Sequence, residues 1–246
     1  YIPLLFLFWP ENSISLNGWL CVAATGVLHA LYFWLLGGAY ERADLSVVYP
    51  LSRGSGPLLV PLLAFVLIQE KISLVGGVGI MLVVTGIYII HLESFHLWAF
   101  VKPFAALKSG GSLWALGTGG TIAAYSIVDK VGVGLVPPPV YIYLMLLITW
   151  AMLSSFVFVS GRIEFLTEWK LNKWAIIVVG VLVLGTYLMI LFSFQIAKVS
   201  YVVAVREFSI VFSVLLGYFY LGEKHLFQKI SGALAISAGV VCIALR

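Results

Sequence analysis

Charge is what this sequence has least of. Asp, Glu, Lys and Arg make up 10% of its 246 residues, where a water-soluble domain carries about 25%. With 62% hydrophobic residues, the chain lacks the polar surface that would keep it in water, and it reads as an integral membrane protein. Cysteine is nearly absent. Cys21 and Cys242 sit in apolar runs at opposite ends of the chain, so no disulfide framework is expected and both read as small packing residues. No His, Cys, Asp and Glu residues recur with metal-ligand spacing, so no metal or other cofactor is expected. No basic run marks a nucleic-acid partner. No phosphate-cradling P-loop is present, which argues against ATP as an energy source. Catalytic signatures are missing too. Gly54-Ser55-Gly56 is not a nucleophile elbow, and no pair of intramembrane aspartates occurs. No catalytic residue is expected.

What is abundant is apolar sequence in blocks. Residues 1–10 are too short to cross a bilayer and lack a basic n-region and cleavage site; they read as the tail of a helix. Further blocks run over 16–38, 45–69, 72–92, 112–130, 139–160, 174–197, 199–222 and 226–246. Each approaches the ~20 residues that span a hydrocarbon core. The expectation is an all-α polytopic membrane protein with about eight full transmembrane helices plus a partial one. Short links make neighbours antiparallel. The two longer links, 93–111 and 161–173, hold most of the charge. Pro137-Pro138-Pro139 stands where a helix should begin, a position that tolerates proline. Trp98, Trp114, Trp169 and Trp174 flank spans, as interfacial anchors do.

One block is unlike the rest. Residues 44–70 carry Pro50, Pro57 and Pro61, each lacking a backbone donor, and the flexible Gly54-Ser55-Gly56. Arg53 stands inside it, about 12 Å deep at 1.5 Å per residue. The pattern predicts a broken helix whose charge faces protein or a water-filled cavity.

The block recurs. Arg53, Glu70, Lys71, Gly79 and Gly86 match Arg206, Glu223, Lys224, Gly232 and Gly239 at one offset, and Ala43 and Ser46 match Ala197 and Ser200 at an offset one residue longer. The copies lie five spans apart, an odd number, so the second is expected upside-down relative to the first. Inverted repeats frame many secondary transporters, with the substrate site near the midplane where the copies meet.

The candidate site follows from the repeat. Inverted copies would bring Arg53 and Arg206 toward one axis; Glu207, about 100° around the helix from Arg206, need not pair with it. Two guanidiniums and one carboxylate leave a positive residue of charge, suited to a carboxylate, phosphate or phosphonate, with Glu207 as a coupling or gating group. The alternatives are that both arginines cap carbonyls freed by helix breaks with Glu207 as their ion-pair partner, or that they snorkel to the interface. Tyr49 and Tyr201, close before the arginines in sequence, are candidate substrate contacts or packing residues. His29, on one face with Thr25 and Tyr32, is with Glu207 a candidate proton relay, because imidazole titrates near neutrality; the alternative is a hydrogen-bonded structural histidine. Glu70 and Glu223 close their spans and read as structural carboxylates near the next helix's N-terminus. The spaced glycines suit close helix packing, within one chain or between two copies in a homodimer.

These features resemble the drug/metabolite transporter superfamily, EamA-type permeases. The resemblance rests on a small-residue and proline helix ending in Glu70, then a helix with Gly76 to Gly86, and on the second copy from Tyr201 through Leu221-Gly222-Glu223-Lys224 to Gly232 and Gly239. It implies two inverted EamA-type units of five helices, here 1–92 without its first helix, a connecting loop 93–111, and 112–246. Asp129-Lys130 falls where the family often has Lys at the end of a unit's first helix. The resemblance further implies alternating-access export of a small polar, amino-acid-like or anionic metabolite, coupled to protons or exchange, in a bacterial inner membrane. The non-carrier alternatives are an intramembrane enzyme acting on a lipid-linked substrate and a non-transporting membrane subunit. Orientation has two answers. The family form places both termini in the cytoplasm. The positive-inside rule assigns that side to the loops holding Arg42, Lys102, Lys108, Arg162, Lys170, Lys173, Lys224 and Lys229, with the C-terminus outside.

Overall fold

The apolar blocks become helices in the computed structural model, which describes all residues except 1, 12, 44, 91, 93–109, 161–164, 222–225 and 246. In chain order they are α1 (Ile2–Leu7), α2 (Leu16–Arg42), α3 (Leu45–Ile68), α4 (Leu74–Ile90), α5 (Gly110–Gly132), α6 (Pro138–Ser160), α7 (Phe165–Ile196), α8 (Val199–Arg206), α9 (Ser209–Leu221) and α10 (Leu226–Ala244). Most of the link 93–111, the loop cations Lys102, Lys108 and Arg162, and Glu223-Lys224 lie outside the described residues. Six stretches among the described residues are long and apolar enough to cross a membrane: Leu16–Arg42, Leu51–Ile68, Pro138–Phe156, Thr167–Ile196, Val199–Leu216 and Phe227–Ala244. The apolar helix α4 has 17 residues.

The triple proline starts α6 as expected. The Val140 and Tyr141 amides donate to the Pro137 carbonyl at 3.0 and 2.9 Å, closing the first turn. Two differences from the sequence reading stand out. α7 begins at Phe165, well before the apolar run at 174, with non-helical dihedrals at Asn172 inside it. And α3 runs unbroken from Leu45 to Ile68 through all three prolines. Proline costs a water-exposed helix about 3 kcal/mol, but neighbouring hydroxyls and helices absorb the defect in a membrane bundle. Ser52 Oγ donates to the Val48 carbonyl at 2.8 Å and Ser55 Oγ to the Leu51 carbonyl, bonds within the helix that do not fall on the carbonyls freed by the prolines. The Gly54-Ser55-Gly56 segment is a packing surface rather than a break. A Cβ on Gly56 would stand 2.9 Å from Ile122, and one on Gly119 would overlap Ser55 Oγ, so α3 and α5 meet closely there.

The described chain divides into two compact units, one of residues 1–30 and 128–196, the other of residues 31–127 and 197–246. In the first, α2 and α6 approach at Gly26, where an added Cβ would lie 2.7 Å from Ile148, and Thr149 Oγ1 donates to the Gly26 carbonyl at 3.0 Å. Gln195 near the end of α7 donates to the Val133 carbonyl at 2.9 Å, tying that helix to the turn after α5.

In the second unit, α4 and α10 form a close antiparallel pair. A Cβ on Gly79 would sit 2.7 Å from the Gly239 carbonyl oxygen, and one on Gly86 would sit 2.6 Å from that of Gly232. All four spaced glycines are therefore used inside the chain. Val83, Ile87 and Ile90 of α4 continue the seam against Ile210 and Val214 of α9 and Ile236 of α10. Ile80 packs on Tyr201 and Ala204 of α8 and Ile243 of α10. At the end of α2, Arg42 donates to the Gly38 carbonyl at 2.8 Å and lies 4.5 Å from the Trp114 ring centroid, a cation placed where a helix C-terminus favours one.

Candidate functional site

The break expected in α3 falls instead in its sequence counterpart. α8 stops at Arg206 and α9 begins at Ser209 without any proline between them. Short-range bonds bridge the gap: the Glu207 amide donates to Ala204 at 3.2 Å, Phe208 to Val205 at 2.9 Å, and Ile210 to Glu207 at 3.0 Å. This i to i+3 pattern is tighter than an α-helix, and such stretches inside a helix often mark functional positions. It sets Glu207 at the junction.

The Glu207 side chain is fully buried and stands between two guanidiniums. Arg206 Nε donates to Oε1 at 3.3 Å, and Arg53 Nε faces Oε2 at 3.4 Å. The sequence reading left Arg206 and Glu207 free not to pair, since helix neighbours diverge by about 100°; the tight turn brings them together. A lone buried carboxylate would be costly. Two arginines more than balance it, and the cluster carries a net positive charge. Side-chain exposure is 26% for Arg53, 12% for Arg206 and zero for Glu207, so the cations are the more accessible part of the cluster. Tyrosines surround them. Tyr125 of α5 hydrogen-bonds Arg206, Tyr49 and Tyr32 lie within electrostatic reach of Arg53, and the Tyr32 and Tyr125 rings meet edge to face at 6.0 Å. Tyr125 and Tyr32 were not singled out as contacts with the arginines, because nothing in their local sequence points to these cations.

Tyr201 is placed differently. Its ring is buried against Gly76, and its hydroxyl accepts from the Ser73 amide at 3.0 Å and lies 3.2 Å from Ser73 Oγ. It ties α8 to the start of α4. Glu70 is a helix cap, but of a distant helix rather than the next one. It accepts from the Val199 and Ser200 amides at 2.9 and 3.2 Å and from Ser200 Oγ at 2.5 Å, satisfying the start of α8. Glu223, its sequence counterpart, lies outside the described residues.

The other compact unit holds a second polar centre, around Asp129 of α5. This aspartate is fully buried. Oδ1 accepts from Thr25 Oγ1 at 2.5 Å and from the Tyr141 hydroxyl at 3.0 Å, and Oδ2 accepts from the Tyr187 hydroxyl. His29 stands beside it: Nδ1 is 2.9 Å from the Thr25 carbonyl and 3.2 Å from Thr25 Oγ1, and its ring meets Tyr187 edge to face at 5.3 Å. The next residue, Lys130, turns away and donates to the Phe194 carbonyl. His29 and Thr25 share this site, where Thr25 Oγ1 donates to the carboxylate 104 residues further on; Tyr32, expected on the same face, meets Tyr125 instead.

Comparison with known proteins bears on family and fold. The model of the EamA-like transporter family matches residues 1–92 and 109–245. No curated protein matches the chain at a comparable level. A solved crystal structure, described only as that of a protein, is similar with a TM-score of 0.75 at 17% identity, covering 99% of this chain and 83% of that one. At that identity the likeness is one of fold.

Proposed function

We infer that this chain, which belongs to the EamA-like transporter family, is a secondary transporter of a small polar, amino-acid-like or anionic metabolite. The observation that carries the reading is Glu207, buried between Arg53 and Arg206 with a surplus of positive charge. A carboxylate, phosphate or phosphonate on the substrate would complete the charge balance, with bidentate guanidinium contacts fixing its orientation. Tyr49 joins the proposed contacts on the strength of its nearness to Arg53.

We further propose two inverted repeats that alternate access to this centre, an arrangement of eight spans and a partial one. The antiparallel seam supports it. If Gly79 is the counterpart of Gly232 and Gly86 of Gly239, exchanging the copies turns the Gly79–Gly239 contact into the Gly232–Gly86 contact, and both are present. A pseudo-two-fold axis between inverted copies produces this pairing. Export across a bacterial inner membrane is the direction that the family resemblance favours.

The test is flux through proteoliposomes that hold the full-length protein. Saturable counterflow of an anionic or zwitterionic metabolite, found first by a thermal-shift screen, is expected for the wild type and lost in folded Arg53→Ala and Arg206→Ala. Undiminished counterflow in both variants would reject the site. Chemical turnover of a lipid-linked substrate without flux would replace the carrier reading with an enzymatic one.

A further inference from the structure

We propose that Asp129 is a reversible proton-binding site, reached through His29 and Thr25. The carboxylate is fully buried on a helix of an integral membrane protein. It faces hydroxyls from three other helices: Thr25 of α2, Tyr141 of α6 and Tyr187 of α7. A purely structural aspartate could hold these three donors in one ionisation state. What points to exchange is the imidazole joined to the same web. His29 Nδ1 and Asp129 Oδ1 are both within hydrogen-bonding range of the one Thr25 hydroxyl, at 3.2 and 2.5 Å. That hydroxyl is a two-sided bridge between a group that titrates near neutrality and a carboxylate.

The transfer balances without any further reactant. Imidazolium at His29 gives its Nδ1 proton to Thr25 Oγ1, while Thr25 Oγ1 gives its own proton to Asp129 Oδ1. The products are a neutral histidine protonated at Nε2, an intact threonine and a neutral aspartic acid. The new Oδ1–H then donates back to Thr25 Oγ1, and the reverse sequence returns the proton. Both tyrosine hydroxyls keep an acceptor throughout, since a carboxylic acid retains lone pairs on both oxygens. A cation and an anion are thereby converted into two neutral groups, which lowers the charge that the buried site holds.

Other groups facing the site do not take this role. Lys130, beside Asp129 on α5, is directed to the Phe194 carbonyl of α7. Cys21 on α2 offers its backbone carbonyl to the Tyr141 hydroxyl at 3.4 Å. From α6 come Tyr141 and the Met145 thioether, the latter 4.0 Å from Thr25 Oγ1. From α7 comes Tyr187. Use of this proton as the coupling ion rests on the transporter reading above; the binding site itself does not.

The experiment is a pH-difference infrared titration of the full-length protein in lipid, with no substrate present. The expected result is a carboxylic C=O band that grows as pH is lowered through the range where imidazole titrates, and that is missing in Asp129→Asn. Tyr187→Phe removes one donor to the ionised form, so its midpoint should rise by about one pH unit. That variant keeps the test open should the Asn variant not fold. His29→Gln should reduce a coupled two-step titration to a single step. The absence of a titrating band in the wild type, a band unchanged in Asp129→Asn, or a curve unmoved by both Tyr187→Phe and His29→Gln would overturn the proposal. Flux without such a band would leave the transporter reading standing, and a band without flux would leave the proton site standing.

Discussion

Glu70 caps a helix that starts 129 residues further along the chain, accepting the Val199 amide at 2.9 Å. With the Ser200 amide and hydroxyl it forms three bonds to one carboxylate, and the N-cap residue Lys198 makes no side-chain cap of its own. Replacing Glu70 by Ala should therefore destabilise the protein by about 2 kcal/mol, the loss of a charged cap. Glu70→Gln should recover part of that loss, because an amide oxygen still accepts. Denaturant titration in detergent measures both. Equal stability for wild type and Glu70→Ala would show that water replaces the cap at no cost.

The glycine seam allows a test with a built-in control. Gly79→Ala and Gly86→Ala push a methyl group into backbone carbonyls of α10, and each should cost about 1–3 kcal/mol as overpacking. Gly77, on the same helix, has nothing within 4 Å of an added Cβ. Gly77→Ala should be neutral or should stabilise by about 0.5–1 kcal/mol through helix propensity. Thermal unfolding of the three variants should rank them in this order, and a destabilised Gly77→Ala would remove the steric explanation.

Removing Glu207 should be worse than removing one of its partners. Glu207→Ala leaves two guanidiniums facing each other, and loss of one member of a buried ion pair typically costs about 3–5 kcal/mol. The partial exposure of Arg53 places this case toward the lower end. Arg53→Ala combined with Glu207→Ala should be less destabilising than the sum of the single changes, by about 1–3 kcal/mol, as coupled neighbours are. Strict additivity in that cycle would mean that the two charges do not interact.

Gln69 takes a left-handed conformation, with φ of 54°, immediately after α3. The following amide, that of Glu70, donates to the Ala64 carbonyl at 3.0 Å, closing the helix end across a left-handed position that usually holds glycine. Gln69→Gly should stabilise the protein by about 1 kcal/mol. An unchanged or lower melting temperature would contradict this.

Sequence periodicity and length located nearly every helix, since a bilayer demands long apolar runs and allows little else. The repeat in the sequence pointed to Arg53 and Arg206 together, and the ion pair of Arg53 with Glu207 was legible as the structural alternative for these residues. Local rules failed where tertiary contacts outweighed them. Pro50, Pro57 and Pro61 signalled a break that α3 does not have, while the actual interruption at Glu207 and Phe208 carries no breaker residue. Tyr201 lies near Arg206 in sequence, yet its hydroxyl is committed to Ser73. Asp129 read as the polar end of a span. Its importance lies in Thr25, Tyr141 and Tyr187, which come from three other helices and share no motif with it.

The near-contact of backbones at Gly79 with Gly239 and at Gly86 with Gly232 has a mechanical consequence. Elsewhere in a bundle, side chains can change rotamer and let neighbouring rods shift by degrees. Where main chain rests on main chain, there is no such cushion. Any shift of α4 against α10 must then slide bare main chain over bare main chain, and a single methyl group placed there would force the two rods apart.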